Sequence, residues 1–234
     1  LVDERVRVVI TGMGAMTPLG ESPEEYWRNL AAGTSGIGPM TLCDPVGYPC
    51  QISGEVSGFD PNGYIGAKEA RRMARFTQLA VAAGLQAVEA ASWDISKEDP
   101  YRVGVILGNG NGGFPTLEEN CRILADRGGM RMSPFFFPMI LPNMAAAAVS
   151  RYTGAHGYNS TTTTACAASN QALGEAMAAI RRGAADVMLA GGTEAGISLL
   201  GLSGFAVMRA LSTRNDEPQK ASRPFDSGRD GFIP

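Results

Sequence analysis

The amino-acid sequence predicts an α/β fold: a mainly parallel, mixed sheet covered by helices on both faces. Three observations predict it. Strand-like and helix-like segments alternate along the chain, an order that lays helices over parallel strands. The stretch VRVVITGMG is a short β-branched run ending in glycine, as buried strands reaching a sheet edge are. With 234 residues, 44% of them hydrophobic, the chain can bury a real core as one large domain or as part of a larger one.

The elements follow in order. Residues 6–14 supply the strand just quoted. In ESPEEYWRNLAAG a helix is expected: Ser22 caps it, Pro23 suits its first turn, Glu25 completes a capping box and Gly33 stops it. Residues 34–66 are rich in Gly and Pro and read as a long excursion with little regular structure, a length that inside a compact domain is usually functional or an interface. AKEARRMARFTQLAVAAGLQAVEAA reads as one helix, basic in its first turns and so small and apolar in its C-terminal half that deep burial is expected there. RVGVILGNGNGG gives a second strand and a glycine loop. After an aromatic stretch broken by proline, NMAAAAVSRYTG reads as a helix, GYNSTTTT as a strand, CAASNQALGEAMAAIRRG as a helix and ADVMLAGGTEA as a strand.

Charge and composition exclude several functions. Twenty basic against 23 acidic residues, a formal net charge of −3, give no drive toward nucleic acid or an anionic membrane. The start LVDERVRVVITG lacks a signal peptide's apolar core and no later run spans a bilayer, which places the protein in the cytosol. Cys43, Cys50, Cys121 and Cys166 form no CxxC pair and, with one histidine in the chain, make a poor zinc set; reduced thiols and no metal are expected. The glycine clusters GMGAMTPLG and GNGNGG follow strands as phosphate-binding turns do, yet the first has Thr17 at the third fingerprint position and the second lacks a P-loop lysine. Tight turns and close backbone packing account for both, and no cofactor is expected.

TTTTACAAS carries the chemistry. β-formers precede Cys166 and helix formers follow it, which puts the cysteine at a strand-to-helix junction. The unsatisfied N–H groups of such a helix start favour a thiolate and can hold a developing oxyanion, and Ala165 and Ala167 leave room for substrate. The arrangement suits acyl transfer. Free cysteine is also among the most buried residue types, and spacing alone leaves nucleophile and core filler level. The one histidine, His156, precedes the strand and lies roughly 30 Å from Cys166 along an extended segment, so it reads as a surface or interface residue and not as the base.

The motifs TACAAS, ADVMLAGGTEA, GFAVMRALSTRND and ASRPFDSGRDGF, with VVITGMGAMTPLG and PFFFPMILPNMAA in the same order, resemble those of the β-ketoacyl-[acyl carrier protein] synthases of fatty acid synthesis. These are condensing enzymes of the thiolase fold, and the type II elongating synthases are the most similar. The resemblance implies that Cys166 takes an acyl chain from acyl carrier protein as a thioester. Malonyl carrier protein is then decarboxylated to a carbanion that attacks that thioester, giving a 3-oxoacyl chain two carbons longer. It implies a carrier-docking site at Lys68, Arg71, Arg72 and Arg209, which physics supports, since a local basic cluster draws an acidic carrier; a solvated charged helix end is the plainer reading. It puts Asn111, Phe136 and Phe205 at the acyl pocket, with core packing the plainer reading of both aromatics. Asn111 departs from the family, where an apolar residue is usual. A homodimer is implied too. Family members continue well beyond RDGF with two catalytic histidines and the second half of a duplicated fold, whereas this chain stops at GFIP. Residues 1–234 are therefore expected to be an N-terminal ketosynthase domain without its C-terminal half, inactive in condensation alone. A polyketide ketosynthase, a non-catalytic acyl- or carrier-binding partner and an unrelated dehydrogenase are the alternatives.

Overall fold

The structure is a computed structural model that describes residues 6–234. In chain order its elements begin with α1 (Pro23–Ala31), β1 (Ile37–Pro39), β2 (Ile52–Gly54), α2 (Ala67–Ala70), α3 (Arg75–Ala90), β3 (Val103–Gly108) and α4 (Phe114–Arg127). They continue with α5 (Phe136–Ile140), α6 (Met144–Thr153), β4 (Asn159–Thr162), α7 (Ala168–Arg181), β5 (Val187–Gly192) and α8 (Leu199–Val207). The contacts divide into two compact units: the described residues up to Gly14 with Asp60–Gly113 and Pro134–Ala195, and Ala15–Phe59 with Phe114–Ser133 and Gly196–Pro234.

The first unit is built on a parallel sheet in the order β4-β3-β5. Every residue of β3 is buried, and its alternating side chains divide between two helical layers. Val103, Val105 and Leu107 join Phe76 and Val81 of α3 and Ala145, Ala146 and Val149 of α6, while Ile106 packs with Ala172 and Ala176 of α7. Each buried Val, Leu, Ile or Phe among them contributes roughly 1.5–3 kcal/mol. The alanine stripe Ala168, Ala172, Ala176 and Ala179 brings α7 close to the sheet, because no side chain longer than a methyl stands between them.

Three expectations change here. Residues 6–14 form no ladder among the described residues, and Val9, Ile10 and Met13 are 71%, 77% and 62% exposed. The β-branched run supplies strand propensity, but a strand needs a neighbour to bond. Its glycines explain themselves by packing: a Cβ on Gly14 would stand 1.9 Å from the Ala83 carbonyl oxygen and one on Gly12 2.2 Å from that of Ala87. The expected helix over residues 67–91 is two helices, because Ala74 is extended (φ −69°, ψ 160°), and Gln78 Nε2 donates to the Ala70 and Met73 carbonyls at the break, at 2.8 and 3.2 Å. Burial in α3 falls on its N-terminal half, from Phe76 to Ala82; the C-terminal half is covered only in part.

In the second unit Ser22 caps α1 as expected, its Oγ accepting from the Glu25 N–H at 3.1 Å, but the box closes one residue early, Glu25 Oε2 accepting from Glu21 N–H at 3.0 Å and not from the N–H of Ser22. Gly33 ends the helix at φ 70°. The excursion over residues 34–66 contains the antiparallel ribbon β1–β2, whose Ile52 packs with Met40, Cys50, Leu202, Leu211 and Ala221. Among the described residues no helix is long and apolar enough to cross a membrane.

Candidate active site

Cys166 follows the C-terminal end of β4, on the single 3-10 turn Ala165–Ala167 that leads into α7. Ala165, just before it, has φ 50°. That left-handed conformation costs an alanine about 1–2 kcal/mol, so the surroundings must hold it. Strand ends do so from below. Buried Thr162 Oγ1 donates to the Ala168 carbonyl at 2.8 Å. Gly108, ending β3, is so close under the start of α7 that a Cβ there would lie 2.2 Å from the Ala168 carbonyl carbon, and one on Gly192, ending β5, would lie 1.8 Å from Ser169 Oγ. Glycine leaves the room needed at both strand ends, and at Gly108 the atoms in the way are all backbone.

The cysteine side chain is exposed and fills no core. Ala165 and Ala167 beside it are exposed as well. The N–H of Ala167 donates to the Thr164 carbonyl at 3.1 Å, whereas that of Cys166 has no acceptor among the described residues. A thiol raised on a strained turn, at the start of a 14-residue helix and with its own amide open, can add to a carbonyl carbon and hold the oxyanion that forms. His156 is no part of this. It precedes β4, stacks edge-on against Tyr101 with ring centroids 5.7 Å apart, and its neighbour Gly157 donates to the Val103 carbonyl at the other end of the sheet. Five residues of β3 separate that end from Gly108, about 17 Å at the rise of a parallel strand.

The loop after β3 lies against the nucleophile's turn. A Cβ on Gly110 would be 3.9 Å from Ala165 Cα, and half-buried Asn111 comes next. Asn109 is 1% exposed; its Nδ2 donates to the Thr193 carbonyl at 2.7 Å and its Oδ1 accepts from Gly112 N–H at 2.6 Å. Glu194 Oε2 accepts from the N–H groups of Gly110 at 3.0 Å and Asn111 at 3.1 Å. Although Glu194 as a residue is exposed, burial of its carboxyl pushes the pKa up, outweighing the Gly110, Asn111 and Ala195 amides that favour the charged form. Sequence reasoning does not find Glu194. Its one signal is the register: β3 and β5 end together at Gly108 and Gly192, so the residues after each must meet.

The other expected site residues fall as follows. Phe136 begins α5, half-buried and edge-on to Phe137 at 5.2 Å. Lys68, on α2, and Arg71, at its C-terminal cap, are exposed. Arg72 is tied down: it pairs with Glu69 at 3.2 Å and covers the Phe135 ring at 4.8 Å, and Arg151 pairs with the same Glu69 at 3.2 Å. Phe205 and Arg209 belong to the second unit. Phe205 packs edge-on against Phe232 at 5.0 Å and Arg209 is exposed with φ 55°.

Residues 5–234 match the family model described as the N-terminal domain of β-ketoacyl synthase. The chain is 46% identical over 230 residues to 3-oxoacyl-[acyl-carrier-protein] synthase 2 of Synechocystis sp., a match covering 98% of this chain and 55% of the relative. Among solved structures, a β-ketoacyl synthase from Burkholderia phymatum superposes with a TM-score of 0.86 at 32% identity, over 97% of this chain and 56% of that one. A type II polyketide acyl-carrier protein in complex with its ketosynthase, bound to the hexaketide, matches with a TM-score of 0.73 at 26% identity, over 87% of this chain and 55% of that one. The chain thus spans about half the length of the relatives it matches.

Proposed function

The chain belongs to the β-ketoacyl synthase N-terminal domain family, and from that premise we propose that the protein carrying it is a condensing enzyme of fatty acid synthesis with Cys166 as nucleophile. The Cys166 thiolate attacks the acyl thioester of acyl carrier protein; the carrier thiolate leaves and takes up a proton. Malonyl carrier protein then loses carbon dioxide, and the carbanion so formed attacks the acyl-cysteine, giving 3-oxoacyl carrier protein and the free thiolate. The observation that carries the reading is the exposed cysteine on its strained turn, its own amide open to an oxyanion.

Lys68 and Arg71 present exposed charge to the acidic carrier with Arg72 next to them in sequence, and Arg209 offers exposed charge in the second unit; the carrier complex of a polyketide ketosynthase supports a partner of this class. Asn111 borders the acyl pocket through its place in the loop beside the Cys166 turn, and Phe136 is the aromatic of the same unit assigned to it. Asn111 shortens that pocket or makes it more polar, so substrate preference differs from long-chain elongation. The enzyme works in the cytosol as a homodimer. A polyketide ketosynthase is the second reading, favoured by the same solved complex.

The test is the intact mass of the purified protein before and after exposure to a medium-chain acyl thioester. A gain of one acyl group in the parent and none in Cys166→Ala is expected. An equal gain in both, or none in either, removes Cys166 from the reaction.

A further inference from the structure

Glu194 has no part in the chemistry above, yet it holds the loop that carries Asn111. The backbone N–H groups of residues 110–113 all have acceptors: Glu194 Oε2 takes those of Gly110 and Asn111, Asn109 Oδ1 that of Gly112, and the Ile140 carbonyl that of Gly113, at 3.1 Å. Of these acceptors Glu194 alone is a side chain reaching over from the segment that follows β5. The contact is close, since a Cβ on Gly110 would stand 2.9 Å from Glu194 Oε2. It is also made against resistance, because crowding of the carboxyl disfavours the charge that the two amides require. Releasing it frees Gly110 and Asn111, whereas the Cys166 turn keeps its own supports at Thr162, Gly108 and Gly192.

We propose that Glu194 is a positioning residue for the acyl pocket: by fixing the amides of Gly110 and Asn111 it sets where the Asn111 side chain stands, and so the length of chain that reaches Cys166. The inference rests on the reading of Asn111 as part of the pocket wall. A tie of merely structural importance would, when cut, slow acylation by every donor alike. A positioning residue changes the ratio between donors.

The experiment measures acylation of Cys166 by short and long acyl thioesters in the protein that carries this chain, comparing Glu194→Ala, Glu194→Asp, Glu194→Gln and Asn111→Ile with the parent. In Glu194→Ala and in Asn111→Ile the long-to-short ratio is expected to rise about tenfold, the scale on which a pocket wall discriminates chain length. Glu194→Asp, too short to reach both amides, moves the ratio the same way and serves if the alanine variant does not fold. Glu194→Gln keeps the parent's ratio, because both loop amides use one oxygen and an amide oxygen replaces it. If Asn111→Ile shifts the ratio and neither Glu194→Ala nor Glu194→Asp does, the role of Glu194 is overturned and the pocket wall stands. If Asn111→Ile leaves the ratio unchanged, the wall falls, and the inference with it. A shift in Glu194→Gln as large as in Glu194→Ala overturns the hydrogen-bond account.

Discussion

At the scale of single residues, the site depends on two strand-end glycines that hold an alanine in a conformation it does not favour. Gly108 matters most, because the atoms nearest its missing Cβ, at 2.2 to 2.4 Å, are all backbone of Ala168 and Ser169, which cannot swing away as a side chain does. Gly108→Ala is expected to lift the start of α7, costing about 1–3 kcal/mol of stability in a denaturant melt, the usual penalty of overpacking. It should also slow alkylation of Cys166, whose turn begins α7; a melt and an alkylation rate both equal to the parent's would show that strand end and helix are not in register. Much of this was legible in TTTTACAAS, whose change from β-formers to small helix formers locates the junction. The left-handed Ala165 was not, because no glycine marks it and the strain arises from the packing of three strand ends. Nor was Glu194, for a glutamate after a glycine pair reads as an ordinary loop residue until β5 is set beside β3.

At the scale of elements, hydrogen bonds decide boundaries that periodicity leaves open. One apolar pattern covers residues 67–91, yet Ala74 leaves the helical region, with Gln78 taking up the freed carbonyls; a pattern of apolar spacing carries no trace of that exchange. The ribbon β1–β2 inside the Gly- and Pro-rich excursion was likewise unread, since three-residue strands give no usable period. What joins them past their ends is Glu55, whose carboxylate accepts from Thr41 Oγ1 at 2.5 Å, from the N–H groups of Thr41 at 2.9 Å and Leu42 at 3.2 Å, and from Ser53 Oγ at 2.7 Å. Burial works to raise its pKa, but those hydrogen bonds prevail and hold it below the usual carboxylate range. The sign follows: the folded state prefers the charged form, so the stabilisation is complete above the ordinary glutamate value and is lost as pH falls through the lowered folded value. Melts across that acidic window are expected to show Glu55→Gln less stable than the parent at neutral pH and converging with it as pH falls. A difference that stays constant with pH would assign the loss to packing.

At the scale of the whole molecule, the proposed condensation needs an acyl acceptor, which the exposed Cys166 can be, and donors that polarise malonate, which are not found beside it among the described residues. Decarboxylation leaves a carbanion that must delocalise into the thioester carbonyl, and that charge needs donors fixed around the oxygen. Side chains able to give and take such protons near neutral pH are chiefly histidines, and the sequence has one. His156 stacks on Tyr101 at the end of the sheet opposite Cys166, and exposed as it is, it is held for no oxyanion near the thiol. Acylation asks less, because the amide of Cys166 and the start of α7 are local to residues 159–181. The two half-reactions should therefore separate in the 234-residue chain studied by itself. With malonyl carrier protein and an acyl donor, no carbon dioxide and no 3-oxoacyl product are expected above the uncatalysed rate, whether or not Cys166 has taken up its acyl group. Carbon dioxide release that depends on this chain would mean that another group performs the polarisation, and Glu194, which already accepts two amides beside the Cys166 turn, would be the first residue to replace. Release that vanished in His156→Ala would instead require that the far end of the sheet reach the site.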